Sequence, residues 1–261
     1  MTLKGKVAII TGGGGGIGTE IAKRLVADGA KICIVGRRME LLSKVAGELP
    51  DGSVVTCSAD VSKPGDVERI IRTTLDFGGK LDILVNNAAI NPSGKVADLD
   101  FSVWQQVIDI NLTGPFLMMK ASIPHMIEAG GGSIVNVASL AGVRTLPAMP
   151  AYCASKAGLI MLTQQAALDY GPEKIRCNVV CPGGVRTPGV QRMIKAMAEK
   201  EKVSVDVISD GMTKNIPLRR NAKPENIASI CAYLASDEAE HMTATLQLLD
   251  GGVSTIDASM A

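Results

Sequence analysis

Tyr152 and Lys156 stand four residues apart in the segment Tyr152-Cys-Ala-Ser-Lys156. On a helix that spacing puts both side chains on one face. A free tyrosine ionises near pH 10, too high for ready proton exchange at neutrality, where pKa is about 10. An ammonium beside the ring favours the phenolate and lowers that value. The pair is therefore a candidate proton relay, although the same spacing also describes ordinary neighbours on a helix surface. A second candidate is the run Thr11-Gly12-Gly13-Gly14-Gly15-Gly16-Ile17-Gly18. Glycines let a backbone approach a pyrophosphate, and a helix opening there offers free N–H groups and the positive end of its dipole. Gly12, Gly14, Gly15, Gly16, Ile17 and Gly18 are thus candidate phosphate contacts. Loops of this kind also serve as purely structural turns. Five consecutive glycines, however, cost more backbone entropy than a turn requires, and close packing against a ligand would offset it.

The elements around these residues decide between those readings. Lys6–Thr11 is β-rich and runs straight into the glycines; Ile17–Asp28 follows with Ile17, Ile21 and Leu25 on one helical face and Gly29 at its end. The alternation continues. Strands are predicted over Lys31–Val35, Ser53–Ala59, Leu81–Asn86, Ser133–Ala138, Ile175–Cys181 and Thr245–Leu249. Helices are predicted over Arg38–Glu48, Lys63–Phe77, Phe101–Ala129, Pro150–Tyr170 and Lys223–Ser236. Strands alternating with helices of this length mean βαβ units, so the expected fold is α/β: a doubly wound, Rossmann-like parallel sheet with helices on both faces, in a single domain over residues 1–261. One stretch breaks the rhythm. Residues 186–217 carry short helical patches and the charged run Glu199-Lys-Glu-Lys202. A connection so long is commonly a lid over a site; the plainer alternative is a solvated surface excursion.

Composition narrows the function classes. Lys+Arg 27 against Asp+Glu 26 leaves a net charge of +1, which argues against nucleic-acid binding through bulk positive charge. Hydrophobic residues at 46% exclude a disordered chain. Cys33, Cys57, Cys153, Cys177, Cys181 and Cys231 form no C-x-x-C pair, and with His125 and His241 isolated no zinc spacing arises, so no metal is expected. The cysteines read as small buried hydrophobes in a reducing compartment. No apolar run reaches membrane-spanning length and no signal-peptide pattern opens the chain. A cytoplasmic protein acting on a small molecule, with neither nucleic acid nor membrane as partner, is the expectation.

Taken with Asn86-Asn87-Ala88-Ala89, Ser139 and Pro182-Gly183, the order and spacing of these motifs resemble the short-chain dehydrogenase/reductase superfamily, from Gly5 to Gly252. That resemblance implies roles. Gly12, Gly16 and Gly18 match the cofactor loop. Asp60-Val61 would contact adenine. Asn87-Ala88 would lie along the cofactor, with Ala89 in place of the usual glycine. Asn111 would order a water behind the catalytic lysine, Ser139 would hold the substrate oxygen, and Tyr152 would exchange the proton. Lys156 would bind the nicotinamide ribose and lower the tyrosine pKa. Pro182, Gly183, Val185 and Thr187 match the loop that holds the nicotinamide carboxamide. Met242-Thr-Ala244 departs from the common I-T-G. The resemblance also implies a homotetramer or homodimer, formed through the long helices at Phe101–Ala129 and Pro150–Tyr170, which are more apolar than a one-sided helix needs.

Relatives that prefer NAD carry an acidic residue after the second strand, where this chain has Val35-Gly36-Arg37-Arg38. No carboxylate would repel a 2′-phosphate, and Arg37 and Arg38 could bind one, so NADP(H) is favoured with NAD(H) possible. The alternative is that both arginines merely begin a helix in solvent. Leu140, Val143, Leu146, Met149, Val190, Met193 and Met197 would wall an apolar pocket or else fill core. A cyclic or apolar secondary alcohol or ketone is the expected substrate. A 3-oxoacyl-thioester reductase, with Arg144, Arg192 and Lys195 as phosphopantetheine contacts, is the alternative. A non-enzymatic dinucleotide sensor or scaffold is a third reading, opposed by the intact Asn111, Ser139, Tyr152 and Lys156 set.

Overall fold

A computed structural model describes residues 2–255. Seven strands form one parallel sheet: β1 (Val7–Thr11), β2 (Lys31–Gly36), β3 (Val54–Ser58), β4 (Ile83–Asn86), β5 (Gly132–Val137), β6 (Ile175–Pro182) and β7 (Leu246–Leu249). Their spatial order is β3-β2-β1-β4-β5-β6-β7. The direction of winding reverses between β1 and β4, and in open α/β sheets a ligand cleft forms beyond the carboxyl ends of the strands at such a point.

Buried parallel strands need apolar residues on both faces, which their composition supplies. Successive residues alternate: Ile10 packs with α1 (Gly16–Ala27), α2 (Met39–Ala46) and α9 (Pro224–Ala235), while Ile9 packs with α3 (Pro64–Gly78), α5 (Gly114–Glu128) and α6 (Pro150–Tyr170). Cys33, Cys57, Cys177, Cys181 and Cys231 are buried, and burial pushes the thiols of Cys33, Cys177 and Cys231 up to about 12, far from any thiolate. Cys153 is half-buried. Among the described residues no helix is long and apolar enough to cross a membrane.

Most expected elements occur within a few residues of their predicted ends; three places differ. First, Phe101–Ala129 is not one uniform helix. It divides into α4 (Phe101–Ile108), a π-helical turn (Asp109–Thr113) and α5. The Gly114 N–H reaches Asp109 O across the wide turn, and Pro115 has no N–H for the carbonyl one turn back, that of Asn111. Second, the 186–217 segment is more regular than short patches: α7 (Pro188–Glu201) and α8 (Val205–Thr213) form a hairpin. Third, Ala244 takes a left-handed φ of 58°, and its N–H is bonded to Cys177 O at 2.8 Å. The family's usual glycine would relieve a strain of about 1–2 kcal/mol there.

Candidate active site

The glycine run connects β1 to α1, and the structure sorts its members by what a side chain would strike. A Cβ on Gly12 would stand 2.8 Å from Asn87 Nδ2, and one on Gly18 would run into the Gly12 carbonyl. Gly12 is also left-handed, at φ 70°. These two are required by close packing of the loop on itself. At Gly15 a Cβ would meet nothing within 4 Å, and the helix has no side-chain N-cap there. The first N–H groups of α1, from Gly16, Ile17 and Gly18, therefore have no side-chain cap, which suits a diphosphate at this helix start. The residues present fit a dinucleotide on that ground.

Asn87 braces this loop. Its Nδ2 donates to Thr11 O at 3.0 Å and Gly12 O at 3.4 Å, while its N–H and that of Ala88 both donate to the Thr11 hydroxyl, at 2.9 and 3.1 Å. The Asn87 side chain thus ties the loop to the end of β4. Ala89 is exposed without positive φ, so its methyl is accommodated.

At the outer end of the cleft, Asp60 Oδ1 accepts from the Ser62 N–H and hydroxyl, and Val61 is buried with only backbone to offer. Arg37, Asp60, Ser62 and Lys63 line a hollow of about 410 Å³, to which Phe101 and Gln105 of α4 also contribute. Arg37 and Arg38 are exposed where β2 leads into α2, and Arg38 is its N-cap residue. Lys63 was not singled out from the sequence; it reaches this hollow because it caps α3, whose start lies beside the end of β2.

The catalytic candidates converge at the carboxyl ends of β4, β5 and β6. Ser139 ends the strand β5 extension, capping a 3₁₀ turn (Leu140–Gly142) by accepting from the Ala141 N–H at 3.1 Å. Tyr152 and Lys156 lie on the first turns of α6, where Pro150 begins the helix. Lys156 is 2% exposed; its Nζ donates to Val137 O at 2.8 Å and lies 5.8 Å from the centre of the Tyr152 ring. No carboxylate accompanies it, so burial lowers its pKa from 10.5 to about 8.

The ionisation of Tyr152 corrects the sequence expectation. Its pKa is raised above the usual 10, because burial opposes the phenolate more than the bonded Ser139 hydroxyl favours it. Lys156 lies over the ring rather than at the phenolic oxygen and is spent on Val137 O, so it does not lower the value in the cofactor-free protein.

The Asn111 side chain is taken up by the protein itself. Its Oδ1 accepts from the Ile90 N–H at 2.9 Å, and its Nδ2 donates to Ile90 O at 2.8 Å and Ser155 Oγ at 3.2 Å. The amide is fully engaged. What this residue can still offer a water is its main-chain carbonyl, to which Pro115 has no N–H to give.

Pro182 ends β6, and Gly183 follows it so close to Asp250 that a Cβ there would stand 2.9 Å from the Asp250 Cα. Val185 pairs with Ala222 in an isolated bridge. Thr187 accepts from the Val190 N–H at 3.3 Å as the N-cap of α7 and stands 3.5 Å from where a Cβ on Gly16 would be. The root of the hairpin thus touches the glycine loop.

Known proteins with this arrangement are numerous. The chain matches the short chain dehydrogenase family over residues 6–198. It is 36% identical over 256 residues to 2-(S)-hydroxypropyl-CoM dehydrogenase 3 of Xanthobacter autotrophicus, covering 97% of this chain and 98% of that protein. It is 35% identical over 253 residues to D-beta-hydroxybutyrate dehydrogenase of Rhizobium meliloti, with 95% and 98% covered. Among solved structures, levodione reductase superposes with a TM-score of 0.91 at 32% identity, over 97% of this chain and 99% of that one. With a dinucleotide cleft at the β1–β4 crossing and a tyrosine, lysine and serine gathered beside it, the chain belongs to the short-chain dehydrogenase family, nicotinamide-dependent oxidoreductases that act on CH–OH groups.

Proposed function

We propose that the protein interconverts a secondary alcohol and its ketone with Ser139, Tyr152 and Lys156 managing the oxygen and the proton, and that NADP(H) is its preferred cofactor. The observation that carries the chemistry is the buried Lys156 beneath the Tyr152 ring with Ser139 at the phenol. The bound nicotinamide supplies or accepts the hydride. Ser139 orients the substrate oxygen and stabilises charge as it develops there. Tyr152, held protonated by burial, donates its proton to that oxygen in the reducing direction. In the oxidising direction Tyr152 must first ionise, so alcohol oxidation climbs with pH. Lys156 holds the ribose, and the Asn111 carbonyl holds water that leads protons to solvent. A sensor without turnover would have no use for this set.

Arg37 and Lys63, which both line the hollow at the end of β2, support a 2′-phosphate. Arg37→Ala is expected to weaken kcat/KM for NADP(H) by roughly ten- to a hundredfold, since a hydrogen bond to a charged group contributes about 1.5–3 kcal/mol, with NAD(H) little changed. Gly36→Asp has room, because a Cβ there meets only Leu42 at 3.5 Å. It adds a carboxylate that repels phosphate and accepts from a free ribose hydroxyl, so it should move preference toward NAD(H). Steady-state kinetics with both cofactors check this; equal effects of Arg37→Ala on the two would leave the arginines as a solvated helix start.

Val143 and Leu146, in the segment after Ser139, and Met193 and Met197, on α7, are apolar yet exposed, which favours an apolar or cyclic substrate. Val190 instead packs inside the hairpin. The thioester reading is less supported: Arg192 and Lys195 are exposed on α7, and Arg144 donates to Val253 O at 2.7 Å.

The hairpin at 186–217 serves as the lid in this proposal. Its inner side chains, Val190, Ile194, Ala198 and Ile208, pack on one another as a cluster separate from the sheet. Limited proteolysis should cut within 186–217 in the free protein and spare it when cofactor and substrate analogue are bound. Equal cutting in both states would remove the gating role. Phe101, Phe116, Met161 and Leu168 leave the α4–α6 surface apolar, which supports a homodimer or homotetramer through those helices. Light scattering at micromolar concentration should show no monomer; a monomer alone would contradict the assembly.

A further inference from the structure

One polar group at this site takes no part in the proton path. Ser155 is fully buried on the same turn of α6 as Lys156. Its hydroxyl donates to Tyr152 O at 2.8 Å and accepts from Asn111 Nδ2 at 3.2 Å. Asn111 in turn clasps both backbone groups of Ile90, at 2.8 and 2.9 Å. Ile90 stands just beyond Asn87-Ala88, on the segment that leads from β4 along the cofactor cleft. A serine within a helix that bonds back to a carbonyl slightly weakens and bends that helix. An alanine would suit the helix better by propensity alone. The hydroxyl is therefore explained by what it connects.

We infer that Ser155 is a positioning residue that fixes the distance between the proton donor and the cofactor shelf. The strut runs from the Ile90 backbone through the Asn111 amide and the Ser155 hydroxyl to the Tyr152 backbone. Hydride and proton must reach one carbonyl group from two different walls of the cleft, and these walls belong to β4 and α6. Packing alone leaves a helix free to slide by fractions of an ångström. A chain of hydrogen bonds ending on the carbonyl of the catalytic residue itself removes that freedom. The π turn belongs to the same device: widening the helix at Asp109–Thr113 is what brings Asn111 between Ile90 and Ser155. This inference rests on Tyr152 being the proton donor.

The test compares Ser155→Ala and Ser155→Cys with wild type and with Tyr152→Phe. Circular dichroism, cofactor Kd from nicotinamide fluorescence, and the pH dependence of kcat for a secondary alcohol that the wild type turns over are measured for each. Ser155→Ala should keep cofactor Kd within a few-fold yet lose roughly ten- to a hundredfold in kcat, as expected when reacting groups are misplaced by up to ~1 Å. Its pH–kcat limb should move from that of wild type, because the tyrosine sits differently against Ser139 and Lys156. Ser155→Cys, with a weaker donor and acceptor of similar shape, should fall between the two. Wild-type kcat and an unmoved limb in a folded Ser155→Ala protein would overturn the inference. Should Ser155→Ala fail to fold, wild-type kcat with an unmoved limb in Ser155→Cys would overturn it equally. Full turnover in Tyr152→Phe would instead defeat the assignment of the proton donor on which the inference stands.

Discussion

Tyr152→Phe is expected to reduce kcat by roughly 10²- to 10⁴-fold, the usual worth of a positioned general acid or base. Cofactor affinity should stay within a few-fold, because the ring remains and only the hydroxyl goes. The variant removes an oxygen that is bonded to Ser139 within a buried pocket. The serine keeps its bond from the Ala141 N–H, so the pocket does not collapse. The effect should fall on turnover and on the alkaline rise of alcohol oxidation together, since both depend on the same proton. Parallel measurement of kcat, cofactor Kd and the pH profile separates the cases. Near-normal turnover in this variant would eliminate tyrosine-based proton transfer.

The second large effect joins activity and stability with opposite signs. Lys156 is buried without a carboxylate, and its pKa falls from 10.5 in the unfolded chain to about 8 in the folded one. Between those values the unfolded state binds more protons than the native state. Stability from this group therefore rises with pH across that window and is lowest below pH 8. The shift corresponds to about 3 kcal/mol of unfavourable burial at neutral pH. Lys156→Met keeps most of the volume and discards the charge, at the cost of the bond to Val137 O. The cofactor-free variant should be more stable at pH 7 by roughly 1–3 kcal/mol, as when buried charges are replaced by apolar residues. The advantage should shrink as pH rises through 8 and beyond. Turnover should meanwhile fall by orders of magnitude. Thermal melts of both proteins at pH 7 and pH 10 check the sign; a variant less stable at pH 7, with a gap independent of pH, would contradict the linkage.

What the sequence revealed and what it concealed follow from the range of the interactions involved. The order of strands and helices was legible because each strand is a short apolar run bounded by turn residues, and because the glycine run sits between one such strand and an amphipathic helix. The tyrosine–lysine spacing was legible because it is local to one helix. The π turn was not. It depends on Pro115 withholding an N–H and on Asn111 reaching Ile90, 21 residues away. Lys63 could not be associated with Arg37 from sequence, since only the pairing of β2 with β3 brings the start of α3 beside the end of β2. The direction of the Tyr152 shift was misread for a related reason. Spacing shows that an ammonium is near, but burial and the competing acceptor at Val137 belong to the folded protein.

The α7–α8 hairpin leaves the sheet region at Thr187 and rejoins it at Ile216, holding its own small cluster between. Because that cluster is not shared with the sheet, the hairpin can change in length and sequence without a compensating change in the strands. If the hairpin is the lid proposed above, descent with altered specificity would need few simultaneous mutations: a duplicated gene could try new hairpins while the residues at the ends of β4, β5 and β6 stay as they were. The same discontinuity makes this segment a crossover point for chimeras, in which a hairpin grafted from one relative onto another's sheet would, on the lid reading, exchange substrates and keep the chemistry.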